Sequence, residues 1–157
     1  MSRIFIPVIA AATLLVDEAS KAWAQRILDA TPALEVAPFL RLRLGYNSGV
    51  AFSLFAGLGA STYISVFTSL LIAGLAWMAA QAHRALERFG LALMIGGALG
   101  NLSDRLGDGL VTDFIDLHAG GWHFPTFNLA DVTITLGVLL LLAQPLRDAS
   151  RRPQHGG

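Results

Sequence analysis

Residues 44–82 read LGYNSGVAFSLFAGLGASTYISVFTSLLIAGLAWMAAQA, 39 consecutive positions without a charged side chain. A helix needs about 20 apolar residues to cross a bilayer, so this run holds one span and something else. Its first half carries Gly45, Asn47, Gly49, Gly57 and Gly59, which interrupt a helix. The span is therefore placed at about residues 62–80. Three further spans are predicted at about 4–27, 88–104 and 130–146. Arg88 and Asp104 enclose only 15 uncharged positions, and so do Asp131 and Arg147. At a rise of about 1.5 Å per residue such a window reaches about 22 Å, short of a ~30 Å hydrocarbon core. The acidic residues at these ends are thus expected at the membrane edge or slightly below it.

Composition agrees. Of the 157 residues 54% are apolar and only 14% charged, where a soluble domain carries about 25%; mean hydropathy is +0.59. Disorder and an ordinary soluble fold are both disfavoured. A net charge of +0 without a basic run argues against nucleic-acid binding. The absence of cysteine removes disulfides, thiolate nucleophiles and Cys-ligated metal sites. The reading is a mainly α, integral membrane protein: one four-transmembrane-helix bundle over residues 1–150, with 151–157 a disordered cytoplasmic tail. The first segment has a rival reading as a cleavable signal, from Arg3, the apolar residues 4–16 and Ala22-Trp23-Ala24. Asp17, Glu18 and Lys21 crowd that cleavage site. Asp17 and Lys21, four apart, share a helix face and can neutralise each other. Arg3, Arg84, Arg88, Arg147, Arg151 and Arg152 lie on one side of the four-span map and Arg26, Arg41 and Arg43 on the other. That imbalance places both termini in the cytoplasm.

The two outer segments have pattern of their own. Leu40-Arg41-Leu42-Arg43-Leu44 alternates as a half-buried strand does. Tyr46-Asn47-Ser48-Gly49 signals a turn, and residues 50–55 can return as a second strand. Residues 111–117 also favour an extended form, and Gly120-Gly121 then turns the chain. These segments predict a small sheet on the outer membrane surface, with Arg41 and Arg43 facing headgroups and the leucines facing lipid or core.

Asp17, Asp104, Asp108, Asp113, Asp116 and Asp131 all fall on that outer side. Ionised groups are costly there unless paired or used. Two carboxylates a few Å apart share a proton, and such a pair can activate a water and protonate a carbonyl oxygen without a metal. Each acid also has a plainer reading. Asp131 with Asn128 resembles a capping box. Asp113 can pair with Arg41, Arg43 or Arg105, and Asp104 with Arg105. Asp108 and Asp116 read as solvated. Gly96 and Gly100 read as a helix-packing face. His83, His118, His123 and His155 show no metal-ligand spacing, so no metal and no cofactor are expected. No serine lies in a nucleophile motif.

Five blocks carry a resemblance. They are Asp17-Glu18-Ala19-Ser20-Lys21; Asn47-Ser48-Gly49-Val50-Ala51-Phe52-Ser53; Gly96-Gly97-Ala98-Leu99-Gly100-Asn101-Leu102-Ser103-Asp104-Arg105; Val111-Thr112-Asp113-Phe114-Ile115-Asp116; and Phe124-Pro125-Thr126-Phe127-Asn128-Leu129-Ala130-Asp131. In this order they resemble the motif blocks of bacterial lipoprotein signal peptidase, also called signal peptidase II. Val50 and Thr133 are small departures that do not touch the acids. The resemblance implies an aspartyl endopeptidase of the inner membrane that removes the signal peptide of a prolipoprotein just before its diacylglyceryl-modified cysteine. It implies a catalytic pair at Asp113 and Asp131. Asn47, Gly49, Asn101, Asp104, Arg105 and Asn128 would shape the site or bind substrate, with Asp17 and Lys21 in structural support. It further implies a small periplasmic β-sheet, a periplasmic loop or helix that closes over the substrate, a monomer in membrane lipid, and inhibition by cyclic peptides of the globomycin type.

Two other classes are compatible with the residues. A proton- or cation-coupled carrier would use the same carboxylates, but its acids would be spread towards mid-membrane. A non-catalytic assembly module would use the Gly96 and Gly100 face and leave Asp113 and Asp131 dispensable.

Overall fold

The structure, a computed structural model, describes residues 4–49 and 60–151. Four long helices, α1 (Phe5–Leu28), α2 (Ala60–Gln81), α3 (Ala85–Gly107) and α4 (Leu129–Arg151), carry four short strands: β1 (Leu34–Ala37), β2 (Leu40–Asn47), β3 (Val111–Ala119) and β4 (Trp122–His123). The strands form one antiparallel sheet in the order β1-β2-β3-β4.

Helix α3 is the axis, packed against the other three. Its small residues make that possible. A Cβ on Gly96 would lie 2.6 Å from the Ala10 carbonyl of α1, and one on Gly97 would lie 2.6 Å from the Ala130 carbonyl of α4. Gly100 is covered by the Asp17 carboxylate. The packing face expected at Gly96 and Gly100 is thus present, and it brings α1 against α3 close enough for their polar side chains to meet.

The outside of the bundle is apolar. Leu15 and Val16 on α1, Phe67 and Leu70 on α2 and Leu139 and Leu142 on α4 are all exposed, an arrangement that suits lipid rather than water. Among the described residues one helix, Ser61–Gln81, is long and apolar enough to cross a membrane on length and composition alone. Helices α3 and α4 run 23 residues each, about 35 Å at the helical rise. Both continue past the charges that bound the 15-residue windows, because Asp104 and Asp131 find polar partners inside the bundle.

The apolar side of the sheet, Leu42, Leu44 and Ile115, packs on Ala24 and Leu28 of α1 together with Phe114 and Leu129. The expected strands at 40–44 and 111–117 are present. The partner expected at 50–55 lies outside the described residues. On its other edge β2 pairs with β1, through Leu34↔Leu42 and Glu35↔Arg41. Gly120 and Gly121, at φ +56° and +84°, turn β3 into β4, where a side chain would be strained.

One further contact sets the site. Phe127 forms an isolated bridge to Ile115, donating its N–H to the Ile115 carbonyl at 3.1 Å and accepting from Ile115 N at 2.9 Å. The residues just before α4 are thereby laid alongside β3.

Candidate active site

Asn128 follows Phe127 and begins α4 as its cap. Its Oδ1 accepts from Asp131 N at 3.0 Å, and its own N–H donates to Asp131 Oδ2 at 3.2 Å, the reciprocal pair of a capping box. The cap faces β3 as well: Asn128 Nδ2 donates to Asp113 Oδ1 at 2.7 Å. One fully buried asparagine therefore touches both carboxylates.

Two more asparagines complete the frame. Asn47, at the end of β2, donates from Nδ2 to Asp113 Oδ2 at 3.2 Å while its Oδ1 accepts from Gly49 N at 2.8 Å. Gly49 sits at φ +73°, a conformation that favours glycine, and a Cβ there would push on the end of the Ile64 side chain, 2.7 Å away. Asn101 of α3 donates to Asp131 Oδ1 at 2.9 Å and accepts from Asn128 Nδ2 at 3.1 Å and from Lys21 Nζ at 3.2 Å. The flipped amide would set NH2 against an ammonium and oxygen against a carboxylate, so its neighbours dictate its orientation.

Behind Asn101 lies a buried ion cluster. Lys21 Nζ is 2.6 Å from Asp17 Oδ2 and 3.0 Å from Asp104 Oδ2. With Asn101 these make three acceptors for three N–H donors. The expected Asp17–Lys21 pair is present, whereas Asp104 turns to Lys21 rather than to Arg105. Asp17 Oδ1 also accepts from Ala130 N at 2.8 Å, joining α1 to the first turn of α4. Asp104 Oδ2 accepts from Thr112 N at 2.9 Å, and Thr112 Oγ1 from Gln25 Nε2 at 3.0 Å. Sequence reasoning missed Thr112 and Gln25. The signal was there for Gln25, four residues beyond Lys21 as Lys21 is four beyond Asp17.

Arg105 donates from Nη1 to the Asn101 carbonyl at 3.2 Å. Its guanidinium lies beside Gly49 and lines a cavity of about 440 Å³ with Ser61, Ser65 and Ser69. A second, apolar groove of about 520 Å³ is lined by Leu117, Phe124, Phe127, Val132, Leu136 and Leu139, with Asp131 in its wall.

The two carboxylates differ in setting. Asp113 is buried and Asp131 partly exposed. Burial, and then the charge of Asp131, push the Asp113 carboxyl up to about 6, against the hydrogen bonds from Asn47 and Asn128. Asp113 thus keeps its proton where an ordinary carboxyl has lost it.

Asp116 requires a correction. Expected in solvent, it is fully buried, with Oδ2 accepting from Arg41 Nε at 2.6 Å and Arg43 Nε at 2.7 Å, and Oδ1 3.0 Å from His123 Nδ1. Burial pushes its carboxyl up, but the bonds from His123, Arg41 and Arg43 outweigh that and hold it well below the usual range. Arg41 and Arg43 are therefore partners of Asp116 and not of Asp113. Asp108 is exposed, as expected, and accepts from Leu110 N at 3.0 Å.

A helical bundle with an apolar exterior and a carboxylate pair framed by asparagines defines a membrane-embedded enzyme. The fold is similar to two solved structures described as bacterial membrane enzymes, obtained by the in meso method at 2.3 and 1.9 Å. Their TM-scores are 0.78 and 0.79 and their identities 29% and 30%; they cover 98% and 92% of this chain and 94% of each of theirs. The family model for Signal peptidase (SPase) II matches residues 9–147, and the chain belongs to the signal peptidase II family. Relatives named lipoprotein signal peptidase include one from Anaplasma phagocytophilum, 40% identical over 88% of this chain and 89% of its own. Another, from Coxiella burnetii, is 40% identical over 89% and 88%, and one from Burkholderia thailandensis is 44% identical over 72% and 70%.

Proposed function

We propose that this chain is an aspartic endopeptidase of the bacterial inner membrane. It removes the signal peptide from diacylglyceryl-modified prolipoproteins on the N-terminal side of the lipidated cysteine. The observation that carries the reading is the double contact of Asn128, 2.7 Å to Asp113 and 3.2 Å to Asp131, which holds two inequivalent carboxyls in one frame.

The inequivalence supplies the roles. Asp131, the more solvated, takes a proton from water as the oxygen attacks the scissile carbonyl carbon. Asp113 gives its proton to the carbonyl oxygen. On collapse Asp131 returns its proton to the leaving nitrogen, the C–N bond breaks, and Asp113 recovers a proton from the tetrahedral hydroxyl. Asn47, Asn101 and Asn128 hold the carboxylates, Gly49 and Arg105 shape the substrate side, and Asp104, Asp17 and Lys21 hold the frame. The apolar groove beside Asp131 suits an apolar substrate segment.

All four helices span the membrane in this reading, with both termini cytoplasmic and the sheet periplasmic. Their lengths of 22–24 residues support it, since about 20 suffice. The protein acts as a monomer and is inhibited by cyclic peptides of the globomycin type. The test is cleavage by the purified protein in detergent of a diacylated precursor and its unlipidated counterpart. Cleavage of the lipidated form alone, unaffected by chelators, is expected. No cleavage of either, equal cleavage of both, or loss in EDTA that added metal restores would overturn the proposal.

A further inference from the structure

The sheet carries a second charged cluster that the peptidase chemistry does not use. Asp116, fully buried, accepts from Arg41 Nε and Arg43 Nε on the same oxygen. Arg41 stands opposite Asp116 on one side and opposite Glu35 on the other. Both arginines engage Asp116 through Nε, and among the described residues their Nη groups have no protein partner. The side chains are 27% and 39% exposed. Two guanidiniums share one carboxylate, and Glu35, across the sheet from Arg41, sets its carboxylate 3.4 Å from His118 Nε2 rather than on either arginine.

Surface arginines ordinarily lose much rotamer freedom on binding an anion. Here the shared carboxylate has already fixed both Nε groups, and the remaining Nη edges match the paired oxygens of a phosphate. The surroundings point to lipid rather than to a soluble anion. Phe39, whose carbonyl accepts from His118 N at 3.0 Å, and Trp122, beside His123 on β4, are 60% and 64% exposed. Tryptophan is enriched at membrane–water interfaces, and an exposed phenylalanine beside it adds apolar surface that suits the same depth. A soluble phosphate gives no reason for them.

We propose that Arg41 and Arg43, set by Asp116, bind the phosphodiester of an anionic phospholipid headgroup, at a site separate from Asp113 and Asp131. The full-length protein in detergent is titrated with phosphatidylglycerol, phosphatidylcholine or inorganic phosphate, without substrate, and bound molecules are counted by native mass spectrometry. One phosphatidylglycerol per chain is expected, held more tightly than phosphatidylcholine, whose own ammonium already neutralises its phosphate. Arg41→Gln leaves Arg43 on Asp116 and should weaken retention roughly fivefold, the effect of one cation near an anionic headgroup. The double variant Arg41→Lys, Arg43→Lys still neutralises Asp116 and should fold. It should weaken retention at least as much, since an ammonium engaged with Asp116 has no second edge to offer. Unchanged phosphatidylglycerol retention in that variant, binding of inorganic phosphate but not of the lipid, or no lipid held by the wild type would each overturn the proposal.

Discussion

Replacing Asp113 with asparagine removes a carboxyl that is 2% exposed and whose ordinary 3.8 has been pushed up to about 6 by burial and by Asp131. A tenfold change in proton affinity is about 1.4 kcal/mol, so holding Asp113 ionised in the folded chain costs about 3 kcal/mol. Between 3.8 and about 6 the folded chain binds this proton and the unfolded chain does not. The stability it contributes is therefore complete below 3.8 and lost as pH rises through about 6. Asparagine carries no charge, but it turns one acceptor into an NH2 group, and both neighbours, Asn47 Nδ2 and Asn128 Nδ2, are donors. Losing the longer of those bonds costs about 1 kcal/mol. Asp113→Asn should accordingly be more stable than wild type by about 2 kcal/mol near pH 7.5 and less stable by about 1 kcal/mol near pH 3. Thermal unfolding in detergent at the two pH values reads this as a Tm difference of about 4–8 °C at the higher pH, reversed in sign at the lower. A difference of one sign at both pH values would refute the reasoning.

Asp131→Asn should abolish measurable cleavage, and the double change with Asp113→Asn should be scarcely worse than either alone, because groups acting as a unit are not additive; single-turnover assays on the three variants decide it. Lys21→Met should cost about 3–5 kcal/mol, since it leaves the buried Asp17 and the half-buried Asp104 uncompensated, whereas Asp17→Asn leaves Lys21 still paired with Asp104 and should cost less; denaturation in detergent ranks the two. Gly100→Ala forces a methyl into the Asp17 carboxylate and should cost about 1–3 kcal/mol, with activity falling alongside Tm as Asp17 leaves Ala130 N. In the wild type kcat/KM should fall as pH rises above about 6, because Asp113 then loses the proton it donates; a pH–rate profile that rises through that region contradicts the assignment of roles.

What was legible in the sequence is what local spacing decides. Asp17 and Lys21 pair because four residues are one helical turn, and Asn128 caps Asp131 because three residues separate N-cap from N3. Gly96 and Gly100 announced a close approach without naming the helix that approaches. Asp116 was misread because its partners lie 73 and 75 residues away on β2, and no local pattern records a cross-strand contact. The four-residue strand β1 escaped for a similar reason: Leu34-Glu35-Val36-Ala37 is too short to show alternation and exists by pairing with β2. Helices α3 and α4 outran their uncharged windows because a charge ends a lipid-facing segment but not a helix whose charged residue has a partner inside.

The cap of α4 has a consequence for a protease that lives among other membrane proteins. Asn128 closes the first turn of α4 and holds Asp113 with the same side chain, so in the native chain seating that turn also completes the contact between α4 and the Asp113 carboxyl. A chain whose fourth helix has not yet seated, or has frayed by one turn, keeps its aspartates but has no bridge between them. On the proposed mechanism, hydrolytic competence would then arrive only with the last helix, and copies not yet fully assembled would leave their neighbours uncut. Asn128→Ser separates the two duties: a serine keeps the cap but is too short to reach β3, giving a folded helix and a silent enzyme.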